Sequence, residues 1–334
     1  MNYKESKKIW ELIEGSKKIL LTLHASPDPD SAGSALSLYY FLKKLRKDVE
    51  VICFDNVHEN LIFIKPNPVK SVEDISKFDF SKYDLYIATD TQQPGLLSPL
   101  RLDLNFPKNL KIVVIDHHPT NLKFGTLNLV DSDRIATAEI IYDLFKSWEV
   151  EISKNIATYI LSGIIGDSGG FRFPGTSAKT FEIVTELIKL GADKDAIMFR
   201  QYNNNDFGVL KYWGLILRKM KIDRKHKFTY YAISYEEYKK YADYAASSTS
   251  GTDVFMNSVV GTNFGIGMTE KKKGWLSVSL RSRTGTDVSK IARSLGVGGG
   301  GHVFAAGAKF KTPFNEGVEK VLLRAREMSN AKSS

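Results

Sequence analysis

The chain has 334 residues, with 43% hydrophobic and 25% charged residues and a formal net charge of +9. That length suits two domains of roughly 150 residues each, and the apolar content excludes a disordered chain. No apolar run approaches the roughly 20 residues of a membrane-spanning helix, and the positive charge favours anionic partners such as nucleotides, nucleic acid or polyphosphate.

A short helix is predicted over 5–15. Ile19-Leu20-Leu21-Thr22-Leu23 reads as a buried strand. It runs into His24-Ala25-Ser26-Pro27-Asp28-Pro29-Asp30, a turn stiffened by two prolines, with Ser31 as the predicted cap of a helix over 31–46. Folding alone requires neither the His nor the second Asp there; a divalent metal wants both. A second strand covers 49–54. It contains Cys53, the single cysteine, which reads as a core residue and suits a reducing cytoplasm. The N-terminal residues Met1 to Ser6 are polar and lack a signal-peptide core, so a cytoplasmic location is expected. Residues 55–80 read as irregular. A third strand, 85–88, ends in Thr89-Asp90-Thr91, and a fourth, 112–115, ends in Asp116-His117-His118-Pro119. Near-continuous apolar strands alternating with helices indicate a parallel sheet covered on both faces. In such sheets ligands bind at the C-terminal edge.

Helices are predicted over 134–148 and 152–166, the second delivering Asp167-Ser168-Gly169-Gly170. Further helices cover 177–190, closed by Gly191, and 193–202. The polar run Asn203-Asn204-Asn205-Asp206 marks a domain boundary, giving a catalytic domain over 1–203, a connecting helix over 204–222 and a smaller α+β domain over 223–330. In the last, strands are predicted at 228–233, 263–268 and 275–281, and helices at 235–242, 253–260, 287–295 and 314–329. Lys271-Lys272-Lys273 reads as an exposed loop between two strands. Gly298-Gly299-Gly300-Gly301-His302 precedes Ala305-Ala306-Gly307; such a glycine run allows close backbone approach and offers N–H groups to an anion. The tail from Ser329 is expected to fray.

Strand and helix ends thus collect His24, Asp28, Asp30, Asp90, Asp116, His117, His118 and Asp167. Five carboxylates at one sheet edge repel unless cations or raised pKa values intervene, and two divalent ions offset that charge directly. Carboxylate and imidazole donors suit manganese, or magnesium with water completing the shell. The lack of a cysteine ligand disfavours zinc. A pair of such ions serves to activate water and stabilise charge at phosphorus. Phe171 and Phe173, beside Asp167, either stack a base or fill the core.

The set His24-x-x-x-Asp28-x-Asp30, Asp90, Asp116-His117-His118 and Asp167 resembles the four signature motifs of the DHH phosphoesterase superfamily. The glycine run with His302, preceded by Arg281-Ser282-Arg283 and Asp287-Val288, resembles the signature of its DHH-associated C-terminal domain. The two-domain layout is similar to the nanoRNase and pAp-phosphatase group. The resemblance implies an active site in the cleft between the domains and two manganese ions, one held by His24, Asp28 and Asp90, the other by Asp30, Asp90, His117 and Asp167. It implies that Asp116 orients His117, that His118 faces the phosphate, and that Arg281, Gly299, Gly300, Gly301 and His302 hold the nucleotide end. Gly33-Ser34 and Thr137-Ala138-Glu139 look familial and are assigned to packing. Ser26, Gln92-Gln93 and Asp167-Ser168-Gly169-Gly170 depart from the usual pattern without removing a ligand. The implied activity is hydrolysis of short oligoribonucleotides or linear dinucleotides of the pApA type by two-metal activation of water, with pAp dephosphorylation beside it. The alternatives are a cyclic-di-AMP phosphodiesterase, a pyrophosphatase or exopolyphosphatase, and a nucleotide-binding module without catalysis. A homodimer is a base-rate expectation.

Overall fold

The computed structural model describes residues 3–98, 104–245, 255–256, 258–296, 299–301 and 303–330. The chain divides into a unit over Met1–Asn204 and another over Asn205–Ser334.

The first unit opens with α1 (Ser6–Gly15), β1 (Lys18–Leu23), α2 (Pro29–Lys44) and β2 (Asp48–Cys53). After β3 (Val69–Ser71) come β4 (Leu85–Thr89), β5 (Lys111–Asp116) and β6 (Leu127–Val130). Then follow α3 (Thr137–Ser147), α4 (Lys154–Asp167), α5 (Ala178–Lys189) and α6 (Lys194–Tyr202). The six strands form one sheet in the order β3-β2-β1-β4-β5-β6, every neighbour parallel. Strand order reverses between β1 and β4, the switch point at which open α/β sheets bind ligands. One core lies between the sheet and α2–α4; a second, with Tyr86, Phe80 and Val114, fills the other face. The sequence pattern predicts neither β3 nor β6. Each is short and lies at a sheet edge, where a strand carries little of the apolar patterning that marks a buried one.

The start of α2 differs from expectation. Asp28, not Ser31, is the N-cap: its Oδ1 accepts the N–H groups of Asp30 (3.0 Å) and Ser31 (2.9 Å), and Pro29 takes the first helical position. Ser31 instead accepts the backbone N–H of His24 at 3.1 Å, tying the strand end to the helix.

Helices α2 and α4 cross with backbones nearly touching. A Cβ on Gly33 would lie 2.4 Å from the Tyr159 carbonyl oxygen, and one on Gly163 would lie 2.6 Å from Asp30 Oδ1. The crossing therefore requires glycine on both helices.

The second unit holds α7 (Phe207–Lys219) and the strands β7 (Lys221–Asp223), β8 (Phe228–Ile233), β9 (Phe264–Lys272), β10 (Trp275–Ser282), β11 (Gly300–Gly301) and β12 (Ala305–Lys311). Their order is β11-β12-β10-β9-β8-β7, antiparallel except for β8 with β9. Helices 288–294 and 314–330 cover one face. The helix expected to connect the domains, α7, packs within this unit, through Tyr212, Leu215 and Ile216 against Tyr231 and Ile233. Of the helix expected at 253–260, Phe255 and Met256 are helical, Ser258 to Val260 are not, and residues 253, 254 and 257 lie outside the described residues; the last helix runs on through Ser329 to Asn330.

Replacing Gly33 by Ala forces a methyl into a backbone oxygen, an overpacking that costs about 1–3 kcal/mol. Urea unfolding of Gly33→Ala should show a lower midpoint at unchanged m-value; an unaltered midpoint would contradict the close crossing.

Candidate metal centre

β1, β4 and β5 end side by side, so His24, Asp90 and Asp116-His117-His118 leave neighbouring strands at the same edge. The N-terminus of α2 adds Asp28 and Asp30, and the last residue of α4 adds Asp167. Three donor sets result, each with ligand atoms within 4.8 Å of one another: His24–Asp28–Asp90, Asp30–His117–Asp167, and Asp90–Asp116–His117–His118.

Asp90 stands at their centre. Its Oδ2 lies 3.4 Å from His24 Nε2, and its Oδ1 lies 3.7 Å from His117 Nε2 and 3.4 Å from His118 Nδ1. It is 2% exposed and sits at φ +51°, a left-handed conformation that aspartate tolerates better than most residues. Its N–H donates to Ile115 O at 3.0 Å. Backbone strain of this kind persists where the surroundings over-determine it, and functional sites are where it collects.

Both ligand-type histidines have their inner nitrogen on a backbone carbonyl. His24 Nδ1 is 2.9 Å from Ala25 O, and His117 Nδ1 is 3.2 Å from Arg134 O. Donation from Nδ1 turns each Nε2 to the carboxylates, His24 to Asp28 (3.5 Å) and His117 to Asp167 (3.1 Å). Carbonyl-fixed imidazoles with oxygen donors and no thiolate fit a hard divalent cation. Cys53 belongs to none of these donor sets: its thiol donates to the His24 carbonyl at 3.8 Å, and burial pushes it up to about 11.

Asp116 does not orient the His117 ring. Its Oδ1 accepts from His118 Nδ1 at 2.7 Å and from the His117 backbone N–H at 2.8 Å, while its Oδ2 accepts from Asn121 Nδ2 at 2.5 Å. The adjacent ring, His118, is the one it holds.

Thr137 and Ala138, assigned to packing, reach the centre. Asp30 is fully buried, and its carboxylate accepts the N–H groups of Thr137 (2.7 Å) and Ala138 (3.0 Å) at the start of α3. Ser34 Oγ donates to Asp30 Oδ1 and Thr137 Oγ1 to Asp90 Oδ1, each at 3.3 Å. A carboxylate at a helix N-terminus is favourable, but 107 residues separate Asp30 from Thr137 and nothing local announces the pairing. Arg134, whose carbonyl holds His117, is also new. The residue is 7% exposed; its side chain pairs with Asp143 and lies 3.7 Å from Glu139, 3.5 Å from Asp131 and 3.2 Å from Tyr3 Oη. At the atypical positions, Ser26 donates its N–H to Asp55 at 2.9 Å and Gln92 accepts from Thr120 at 2.8 Å. Phe171 packs beside Phe181 at the edge of the core.

Burial raises Asp30 well above the usual carboxylate range, reinforced by Asp90 and Asp167. Burial likewise lifts Asp167 to about 6, with Asp28 and Asp90 adding to it and His117 opposing. Desolvation works against charge on His24 and His117, yet the carboxylates beside them hold both well above the ordinary imidazole value. Asp28 and Asp116 go the other way: burial is outweighed by His24 for the first and His118 for the second.

In the second unit, Arg281 on β10 donates to Ser279 Oγ (3.3 Å) and Leu280 O (3.0 Å). Gly300 and Gly301 form β11 against Gly307 and Ala306 of β12. Packing alone demands two of these glycines: a Cβ on Gly299 would meet Ala292 O at 1.9 Å, and Gly301 has φ +133° with Ala305 O at 2.5 Å. Gly300 faces open space. Gly298 and His302 lie outside the described residues.

A parallel sheet carrying acidic and imidazole donors at its switch point, followed by a mixed-sheet unit, is the build of a phosphoesterase, and the sequence supplies the family. The DHH family, N-terminal domain, matches residues 18–164, and the DHHA1 domain matches residues 243–329. The chain belongs to the DHH family and is a hydrolase acting on phosphoric ester bonds. It is similar to the bifunctional oligoribonuclease and PAP phosphatase NrnA of Thermus thermophilus, 30% identical over 325 residues, covering 96% of this chain and 92% of the relative. It is also similar to NrnA of Bacillus subtilis, 27% identical over 297 residues, covering 87% and 88%. A crystal structure of an exopolyphosphatase-related protein from Bacteroides fragilis superposes with a TM-score of 0.86 at 25% identity, covering 97% of this chain and 95% of that one.

The raised groups (His24, His117, Asp30 and Asp167) bind protons in the metal-free protein that a cation must displace. Affinity for an added divalent cation, with manganese as the probe, should therefore rise with pH, steeply from about pH 6 upward. Titration calorimetry in buffers of different ionisation enthalpy should show proton release; pH-independent uptake without release would refute this assignment.

Proposed function

We propose that the chain is a manganese-dependent phosphodiesterase that converts short oligoribonucleotides and linear dinucleotides of the pApA type to mononucleotides and also removes phosphate from pAp. The observation that carries this reading is Asp90, which presents one oxygen to His24 and the other to His117 and so joins the first two donor sets. The similarity to the NrnA relatives, along almost the whole chain, supports the substrate class.

In this reading His24, Asp28 and Asp90 hold one ion, and Asp30, Asp90, His117 and Asp167 hold the other. Such ions lower the pKa of a coordinated water and offset charge on the phosphoryl group. The chain's own contribution is orientation. Ala25 O and Arg134 O fix the tautomers of His24 and His117. The α3 N-terminus fixes Asp30, so its remaining lone pairs have one direction in which to act. Asp116, steadied by Asn121, accepts from His118 Nδ1 and, with Asp90, favours the doubly protonated ring, whose Nε2–H can then donate to a phosphate oxygen. Arg281, Gly300 and His302 bind the nucleotide portion, the guanidinium through a forked contact.

Asp90→Ala should lower pApA hydrolysis by at least about 100-fold, the upper end of losses when mere supports of metal ligands are changed. Asp28→Ala and Asp30→Ala should each bind one manganese fewer than the unaltered protein by calorimetry. Near-normal turnover in Asp90→Ala would sink the proposal. So would faster release of phosphate from tripolyphosphate than of AMP from pApA.

A further inference from the structure

Along β10, Leu276, Val278 and Leu280 enter the core of the second unit, so Trp275, Ser277, Ser279 and Arg281 share the opposite face. The β12 residues directly across from Trp275 and Ser277 are Lys311 and Lys309. On β9 an extra residue between the partners of Trp275 and Ser277 brings Lys272 opposite Trp275. Three lysines therefore surround one tryptophan at one end of the face. Arg281 lies six positions away, at about 3.3 Å per residue or roughly 20 Å.

These lysines are exposed, and among the described residues none lies within 4.0 Å of a carboxylate. Elsewhere many lysines do, as in Lys77–Asp74, Lys82–Asp79 and Lys239–Glu236. The acids near this end are already engaged. Glu270 is 7% exposed and accepts the N–H groups of Tyr235 and Gly274, and Glu236 pairs with Lys239 beside Lys273. Lys271 is held below the usual ammonium range by desolvation and then by the charge of Lys309. Crowded like charges without local counterions gain by meeting an anion. Their elongated spread calls for several phosphates rather than one, and the half-buried Trp275 offers a ring on which a base can stack.

We propose that this face binds the stretch of a longer single-stranded RNA lying beyond the nucleotide at Arg281, so that the enzyme's hold on its substrate grows with chain length. The inference rests on the function proposed above and deepens it.

The test compares the full-length unaltered protein, the triple variant Lys272→Gln/Lys309→Gln/Lys311→Gln and Trp275→Ala, on pApA and on an eight-nucleotide oligoadenylate. The triple variant should raise KM for the octanucleotide by about 10-fold and leave KM for pApA and both kcat values within about twofold. The salt dependence of octanucleotide binding, read by fluorescence anisotropy, should flatten by about 2 in log–log slope, at roughly 0.7 per phosphate contact for single strands. Trp275→Ala should weaken octanucleotide binding by about 10-fold, the scale of one lost stacking contact. Equal changes for both lengths, or none, would overturn the proposal, as would displacement of the labelled RNA by polyglutamate as effectively as by unlabelled RNA. Failure of the unaltered protein to cleave pApA would instead count against the function proposed above, while the binding measurements would still decide the role of this face.

Discussion

Everything at the centre depends on how closely α2 can lie on α4. With no side chain at Gly33 or Gly163, the two backbones approach to contact distance. That approach sets Asp30, in the first turn of α2, and Asp167, at the last residue of α4, into one donor set with His117. The pocket left for the Asp30 carboxylate is also the N-terminus of α3, so the α3 backbone binds what the crossing delivers. One packing decision thus fixes the positions of three helices and one ligand group.

The electrostatics follow from that crowding. The protein neutralises part of the gathered charge by itself: Asp28 caps α2, Asp30 accepts two N–H groups, and Asp116 accepts from His118 and Asn121. Asp90 and Asp167 face imidazoles instead. Without cations, protons hold such a cluster together, which is the sense of the upward shifts at Asp30, Asp167, His24 and His117. A divalent ion would replace those protons with a charge that the same oxygens and nitrogens are placed to hold.

The second unit shows how one sequence feature serves two demands. Gly299 and Gly301 are glycines because backbone oxygens leave no room for a Cβ, while Gly300 faces open space. The run reads as an anion loop from the sequence, and its packing requirement is visible only in three dimensions. The lysines near Trp275 behave in the opposite way. In the sequence three of them form an undistinguished loop; in the sheet, β12 adds Lys309 and Lys311 beside Lys272 and turns a local run into a charged face.

The sequence by itself determined which acidic and imidazole residues gather into the donor sets. Apolar runs of strand length end in His24, Asp90 and Asp116-His117-His118, and a parallel sheet must bring such ends to one edge. Motif spacing over the whole chain identified the family for the same reason, because its ligand groups sit at the ends of successive elements. What only the tertiary structure decided is which partner each group takes. Asp116 holds His118 and not the His117 ring, a carbonyl of Arg134 holds His117, Asp28 caps a helix as well as facing a donor set, and Thr137 reaches Asp30 and Asp90. Residue type and spacing are written along the chain, but a hydrogen bond is chosen by distance and direction within about 3 Å, and contacts between Asp30 and Thr137 arise only when helices remote in sequence pack together.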